Sequence, residues 1–507
     1  MNRLLNSLIL SFVFTSVHAQ IVQNERFEIP IENGESYDVI SAGEDGLFVY
    51  QKVLGQSNNL NTVWKIARVD TSFDVQWVKL YSLSAEYELV DHYYHEGQGH
   101  LLFNNFSTKN KNLELISWDL TGDIERLPIR NYIPFNYFDF VVMEDAAVIA
   151  GYFNYRPIVI LYNFKDRIPR VLPGIFNEKS TITDIKVNDN QTFDVTLAGR
   201  TLDKKYTLFV NTFDFEGNAV KNVTLDTDRT KSLLFGRTQQ MESNAQLVAG
   251  VYGRYNSEYS RGLFVTSLNR FGEQKSKFYN YAELKNFFNY MRAGREKRVR
   301  NRIERRKIKG KKIRFNYRFL VHDLIEYDDQ YVLLGEAFYP KYRNTGTSAG
   351  GGNFFNPVPN INRGLYSSNL IFDGYRYTHA VVLGFDKSGN LLWDNSFEIN
   401  DVISFELEQF VHASKSGDNI ALLYVYDNKI RSKIIMENDV VEGKELLDVV
   451  LKYEGDQSRE GSTNLMGLNK WHNNTFFIYG TQSVTNFSKE GVLPQRDVFF
   501  INKVVYE

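Results

Sequence analysis

The stretch Phe385-Asp386-Lys387-Ser388-Gly389-Asn390-Leu391-Leu392-Trp393 decides the fold. An apolar run enters it, and Asp opens a turn by hydrogen-bonding its own backbone. Gly then supplies the positive φ that closes the turn, and a second apolar run leaves. This is a β-hairpin. Variants of it stand at Trp118-Asp119-Leu120-Thr121-Gly122-Asp123, Phe213-Asp214-Phe215-Glu216-Gly217-Asn218 and Leu268-Asn269-Arg270-Phe271-Gly272-Glu273. Upstream of most hairpins lies a second pattern, a polar turn followed by four to six apolar residues and often a Gly. It recurs eight times, at 45–50, 99–103, 145–151, 193–199, 245–250, 330–335, 419–424 and 475–480. The spacing is about 50 residues, with two gaps of roughly 85 to 90. A hairpin in every unit, preceded by another strand pair, makes four strands per unit.

Composition agrees with an all-β chain. Of 507 residues, 38 are Phe and 31 are Tyr, which favours strands, and 34 Gly against 10 Pro favours many turns. The apolar share of 43% is ample for a core, which excludes a disordered chain. There is no Cys, so disulfides, thiolate metal sites and a cysteine nucleophile are excluded.

The four-stranded repeat resembles a β-propeller blade. The Asp-x-x-Gly-Asn-x-x-Trp turn at Asp386–Trp393 is similar to those of bacterial quinoprotein-type and WD-like propellers. The resemblance covers nearly the whole chain beyond its first residues and implies architecture, not activity. The expected fold is therefore an all-β, eight-bladed propeller, with a seven-bladed ring as the alternative. Strands are lettered A to D from the channel outward. The last unit has A, B and C strands at about 464–471, 475–480 and 498–505 but no D strand. The segment Glu25-Arg26-Phe27-Glu28-Ile29-Pro30 is expected to supply it and close the ring, removing two exposed edges.

Residues 1–19 read as a secretory signal peptide, with Arg3, an apolar run from Leu4 to Val13 and a Val17-His18-Ala19 cleavage pattern. No other stretch is apolar enough to span a membrane as a helix. Residues 20–507 are then expected to form one exported propeller domain, in the periplasm or on the surface of a Gram-negative bacterium.

The two long gaps mark insertions, at 283–315 and 340–375. In a four-stranded meander the loops after B and after D leave from the same face, so both insertions should rise side by side. In the first, Leu284, Phe287, Phe288 and Met291 fall at helical spacing. A basic run from Arg292 to Arg314 follows, with thirteen Lys or Arg against Glu296 and Glu304, a net of +11. The rest of the mature chain sums to −14, a strong asymmetry. Arg295, Arg298, Arg302, Arg305, Arg306 and Lys309 are the candidate partner-binding residues of a basic helix. The competing reading is a solvated helix folded back on the acidic body. Anionic lipid or lipopolysaccharide is a second candidate contact. No aromatics alternate with the basic residues, as base stacking would require, so nucleic acid is not expected.

The second insertion contains Gly346-Thr347-Ser348-Ala349-Gly350, which has the form G-x-S-x-G. Polar residues precede it and three glycines follow, so neither the strand nor the helix of a nucleophile elbow is available. An aromatic-tipped binding loop is expected instead, carrying Phe354, Phe355, Tyr366 and Tyr375.

Five A strands carry an acid: Asp38, Asp91, Asp139, Asp184 and Asp323. Because A strands line the channel, these should form a partial ring of carboxylates. The ring reads as a repeated structural feature, as a site for a cation or a basic peptide, or as acid/base machinery for glycan chemistry. His92 and His95 point to opposite faces of a strand and do not make a metal pair. No metal or cofactor is expected. The expected function is non-catalytic binding of a protein partner in the envelope, such as an outer-membrane protein, by a subunit of a bacterial cell-envelope or outer-membrane secretion or assembly complex. The alternative is a glycan hydrolase or lyase.

Overall fold

The computed structural model describes residues 21–507 except 33–34, 107–111, 131–132, 177–179, 228–229, 255–256, 328, 345–369 and 490. The described strands form eight antiparallel sheets arranged as consecutive blades. This is an eight-bladed propeller, which removes the seven-bladed alternative. Blade 1 comprises Tyr37–Ser41, Leu47–Val53, Asn61–Val69 and Val75–Ser84. The inner strands of blades 2 to 5 are Tyr87–His95, Asn136–Met143, Thr181–Val187 and Ser232–Gln240. Blade 6 contains Arg318–Tyr327, Gln330–Asn344, Leu370–Asp386 and Leu391–Glu398, and blade 7 begins with His412–Ser416.

The B strands are largely buried on both faces because each is covered by a neighbouring blade on each side. Gln246–Gly253 of blade 5 is buried at every residue, and Ala146–Phe153 of blade 3 at all but the last. The hydrophobic clusters accordingly bridge blades. One joins Val148 and Leu161 of blade 3 to Val195 and Phe213 of blade 4.

The C–D turns form as their residues dictate. Asp386 Oδ1 accepts from the N–H groups of Ser388 at 2.9 Å and Asn390 at 2.7 Å, while Gly389 sits at φ +72°. Asp119, Asp214 and Asn269 make the same pair of bonds in their own turns. Blade 1 has the same turn at Asp70, but Phe73 (φ +64°) occupies the place of Gly. Its ring stacks on Phe27 at 6.0 Å and lies 5.7 Å from Trp471, so packing at the ring closure holds a strained backbone.

The closure is as expected. Ile21–Pro30 is the outer strand of blade 8, beside Gln495–Tyr506, Thr475–Thr485 and Asn464–Lys470. Phe27 pairs with Ile501 and Ile29 with Phe499. Arg26 is buried in this seam, 2.8 Å from Glu28 Oε1 and 2.8 Å from Gln482 Oε1, and lies over the Phe500 ring. Arg496 links Glu28 at 3.2 Å to the buried Asp456. Each buried charge in the seam thus has an opposite partner.

Candidate functional site

Both insertions leave blade 6 or its entrance on one face. The first has a different internal structure from the one expected. The helix spans Ala293–Ile308 only, and residues 281–292 are a series of turns. The apolar residues at helical spacing therefore lie outside the helix. Leu284, Phe287 and Phe288 are instead buried as a compact plug in the cluster shared by blades 5 and 6. An Asp of blade 6 fixes the turns: Asp394 accepts from Lys285 N at 2.8 Å and Asn286 N at 2.7 Å. Those two bonds compete directly with helical hydrogen bonding, which is why periodicity misled.

The plug carries the helix. Ile303 is buried in the same cluster, with Val299 packed beside it. Arg295, Arg298, Arg302, Arg305 and Lys309 are exposed, and Arg306 is partly so. Their spacing puts them on successive turns of one side of the helix. Among the described residues, the helix makes one ion pair, Arg300 to Glu296 at 2.6 Å, within itself. Arg305 and Arg306 bond to backbone carbonyls of Asn301 and Lys312. Arg300 lies close enough to Asp394 of blade 6 to favour its charge, but among the described residues no ion pair joins Arg295, Arg298, Arg302, Arg305 or Arg306 to an acid of the propeller.

The second insertion is a β ribbon at its base. The B and C strands of blade 6 stay paired as far as Asn344 and Leu370. Tyr375, expected on a loop, is buried in the ribbon against Phe338 and Phe372. Phe354, Phe355, Tyr366 and the G-x-S-x-G stretch lie outside the described residues. The two insertions meet as expected: the plug residue Tyr290 stacks on His379 of the blade 6 C strand, which pairs with Ala337 at the root of the ribbon.

In the channel, three of the five acids follow a common rule. Asp91, Asp139 and Asp184 each come directly after a one-residue bulge, opposite Leu102, Ala150 and Thr196. The bulge turns the carboxylate inward at the same level of each blade. Asp38 joins them without a bulge, opposite Tyr50. Asp323 departs from the rule: it lies within the blade 6 bulge, where His322 and Asp323 stand opposite Leu334, rather than directly after it, and it is 64% exposed at its side chain.

These acids belong to a belt of inner side chains, most of which the sequence pattern did not single out. Tyr479 of blade 8 donates to Asp38 Oδ1 at 3.2 Å and Tyr50 donates to its Oδ2 at 3.0 Å. Tyr50 Oη also lies 3.0 Å from His92 Nδ1 of blade 2. Tyr137 of blade 3 donates to Asp91. Arg237 of blade 5 pairs with the buried Asp184 and reaches Asp323 Oδ1 at 3.5 Å. Burial opposes the charge of Arg237, but Asp184 and Asp323 overcome it and hold the guanidinium protonated. Burial and the neighbouring Asp91 and Asp184 carboxylates push Asp139 up to about 7, with Arg237 opposing them. Asp139 is thus poised to exchange a proton near neutral pH. Among the described residues, no cluster of three His, Asp or Glu side chains could hold a metal ion.

No protein-family model matches this sequence, and no curated protein does. Solved structures with a similar chain path include a prolyl endopeptidase (10% identity, TM-score 0.39), over 83% of this chain and 50% of that one. The present chain therefore spans half the length of that enzyme. Others are the β-propeller domain of the Trilobed protease from Pyrococcus furiosus (7% identity, TM-score 0.37, 79% of this chain and 94% of that one). The polysaccharide lyase Uly1 is similar at 7% identity and TM-score 0.39, over 82% and 89% of the two chains.

Proposed function

We propose that the chain is an exported, non-catalytic binding propeller whose decorated face engages an acidic protein in the envelope of a Gram-negative bacterium, as a subunit of a secretion or assembly complex at the outer membrane. One observation carries this reading: the helix Ala293–Ile308 is clamped by Ile303 and the aromatic plug, while Arg295, Arg298, Arg302 and Arg305 stay exposed and, among the described residues, without an acidic partner on the body. A rigid base lowers the entropy lost when these long side chains dock, and the local field speeds encounter with an acidic surface.

The test compares the mature protein with a variant in which Arg295, Arg298, Arg302 and Arg305 are Glu, by cross-linking in envelope fractions. One protein should be captured by the parent in low salt, lost in the variant and weakened as salt rises. Capture that is unaffected by the four substitutions overturns the reading. Equal binding of the parent to protein-free vesicles rich in anionic lipid would assign the helix to membrane contact instead.

A second reading rests on Asp139, whose raised pKa beside Asp91 suits a general acid for glycan cleavage by hydrolysis or elimination. It requires turnover of a glycan by the parent protein and loss of turnover in Asp139→Asn. Retention of turnover in that variant would defeat it.

A further inference from the structure

The A–B and C–D turns form the face opposite the insertions. Between blades 4 and 5 on that face lies a cleft of about 810 Å³. Its lining is dominated by side-chain amides, with Lys221 on the outer strand of blade 4 and Phe271 at the rim. Such a volume falls within the range of about 300–1,000 Å³ common for small-molecule sites.

The unusual feature is the set of polar atoms left over. Asn188 Oδ1, Gln240 Oε1, Gln246 Oε1 and Lys221 Nζ are buried and have no hydrogen-bond partner among the described residues, and all four residues line this one cleft. Asn188 and Gln246 are themselves 5% and 4% exposed. The arrangement is built, because the other ends of the side chains are fixed. The fully buried Asp194 receives Gln246 Nε2 at 3.0 and 2.9 Å and Thr212 Oγ1 at 2.6 Å, which leaves the Gln246 oxygen without a donor. Asn188 Nδ2 is likewise engaged by Thr192 Oγ1 at 3.1 Å. Burial draws the Lys221 ammonium below its ordinary pKa while Asp194 opposes that, as expected for a cation held out of water.

Three acceptors and one donor without partners select the chemistry of an occupant. An anion would suit Lys221 but would face three carbonyl oxygens with Asp194 behind them. A cation would meet Lys221. Hydroxyl groups both donate and accept, so several on one molecule satisfy all four atoms. The rim supplies the second half of sugar recognition: Phe271 is 75% exposed, with Arg270 against one of its faces at 4.5 Å from the ring centroid. Its open surface offers an apolar platform for a sugar's C–H face.

We propose that this cleft is a binding site for a neutral oligosaccharide, with Asn188, Gln240, Gln246 and Lys221 contacting its hydroxyls and Phe271 stacking on a ring. The site is separate from the decorated face and does not depend on either reading of function.

The test is calorimetric titration of the mature protein with neutral di- and trisaccharides built from glucose, galactose, mannose and N-acetylglucosamine. Uronate-containing oligosaccharides serve as the charged comparison. At least one neutral sugar should bind, and Phe271→Ala and Lys221→Met should each weaken it ten-fold or more. Without sugar, Lys221→Met should melt at or above the parent's temperature, because it removes an unpartnered buried cation. A lower melting temperature would show that Lys221 is structural, overturning its role. Absence of binding across the neutral set, binding of the uronates alone, or binding that survives both substitutions overturns the site.

Discussion

The Tyr290 ring lies flat on the His379 imidazole, with centroids 3.6 Å apart and planes within 3°. This stack is where the first insertion is joined to the root of the second. His379 is fully buried, its Nδ1 lies 2.9 Å from Thr378 Oγ1, and burial drives its pKa down to about 3. The imidazole is therefore neutral at neutral pH.

That depression makes the seam sensitive to acid. The unfolded histidine takes up a proton below about pH 6.5, while the folded one resists until about 3, so stability falls as pH drops through that window. Replacing His379 with Phe removes this contribution. Between pH 7.5 and pH 5 the parent should lose about 2 kcal/mol more stability than His379→Phe, measured by urea unfolding at each pH. Parallel pH profiles for the two proteins would refute the assignment.

Asp139 behaves in the opposite sense. Its folded pKa of about 7 lies above the unfolded value, so its favourable contribution is complete in acid and is lost as pH rises through 7. Asp139→Asn should therefore stabilise the protein at pH 8, on the order of 1–2 kcal/mol once water in the channel is allowed for, and change it little at pH 4. Thermal unfolding at the two pH values measures the difference.

Phe73 combines a left-handed backbone with a stacked side chain. Phe73→Ala should cost about 1–3 kcal/mol, losing the contacts with Phe27 and Trp471 while keeping the strain. Phe73→Gly relieves the φ of +64° and should be about 1 kcal/mol more stable than the alanine variant. This reverses the usual order of alanine and glycine in a folded chain. Chemical denaturation of the three proteins gives the ranking.

At the closure, Arg496→Met should cost about 3–5 kcal/mol, because it strands Asp456 and deprives Glu28 of one of its two cations. The expected signature is earlier protease cleavage within Ile21–Pro30 than in the parent. Cleavage at an unchanged rate would mean that strand pairing alone holds the seam.

Much of the ring is legible in local chemistry, because a propeller repeats a short-range event. The pairs Asp214/Gly217 and Asp386/Gly389 announce hairpins that need nothing beyond their own residues. Where a non-local contact replaces the local signal, reading fails: Phe73 stands where Gly is expected because Phe27 of the ring-closing strand and Trp471, in the last blade, hold it. The same cause hid the plug, since Leu284–Met291 has helical spacing but Asp394 captures its amides. In the channel the repeated acids were visible, whereas Arg237, Tyr50, Tyr137 and Tyr479 were not. Their importance comes from which blades stand side by side, a relation no spacing encodes.

From residues alone follow the all-β class, the eight repeats, the role of Phe27 in closing the ring and the strongly basic run after Arg292. Local turn chemistry and alternating burial act within a few residues, and charge can simply be counted. Only the folded ring decides that the helix starts at Ala293, that Asp139 titrates near neutrality, and that Asn188, Lys221, Gln240 and Gln246 face one cleft. Those properties arise from desolvation and from neighbours on other blades, and both come into existence when distant segments pack.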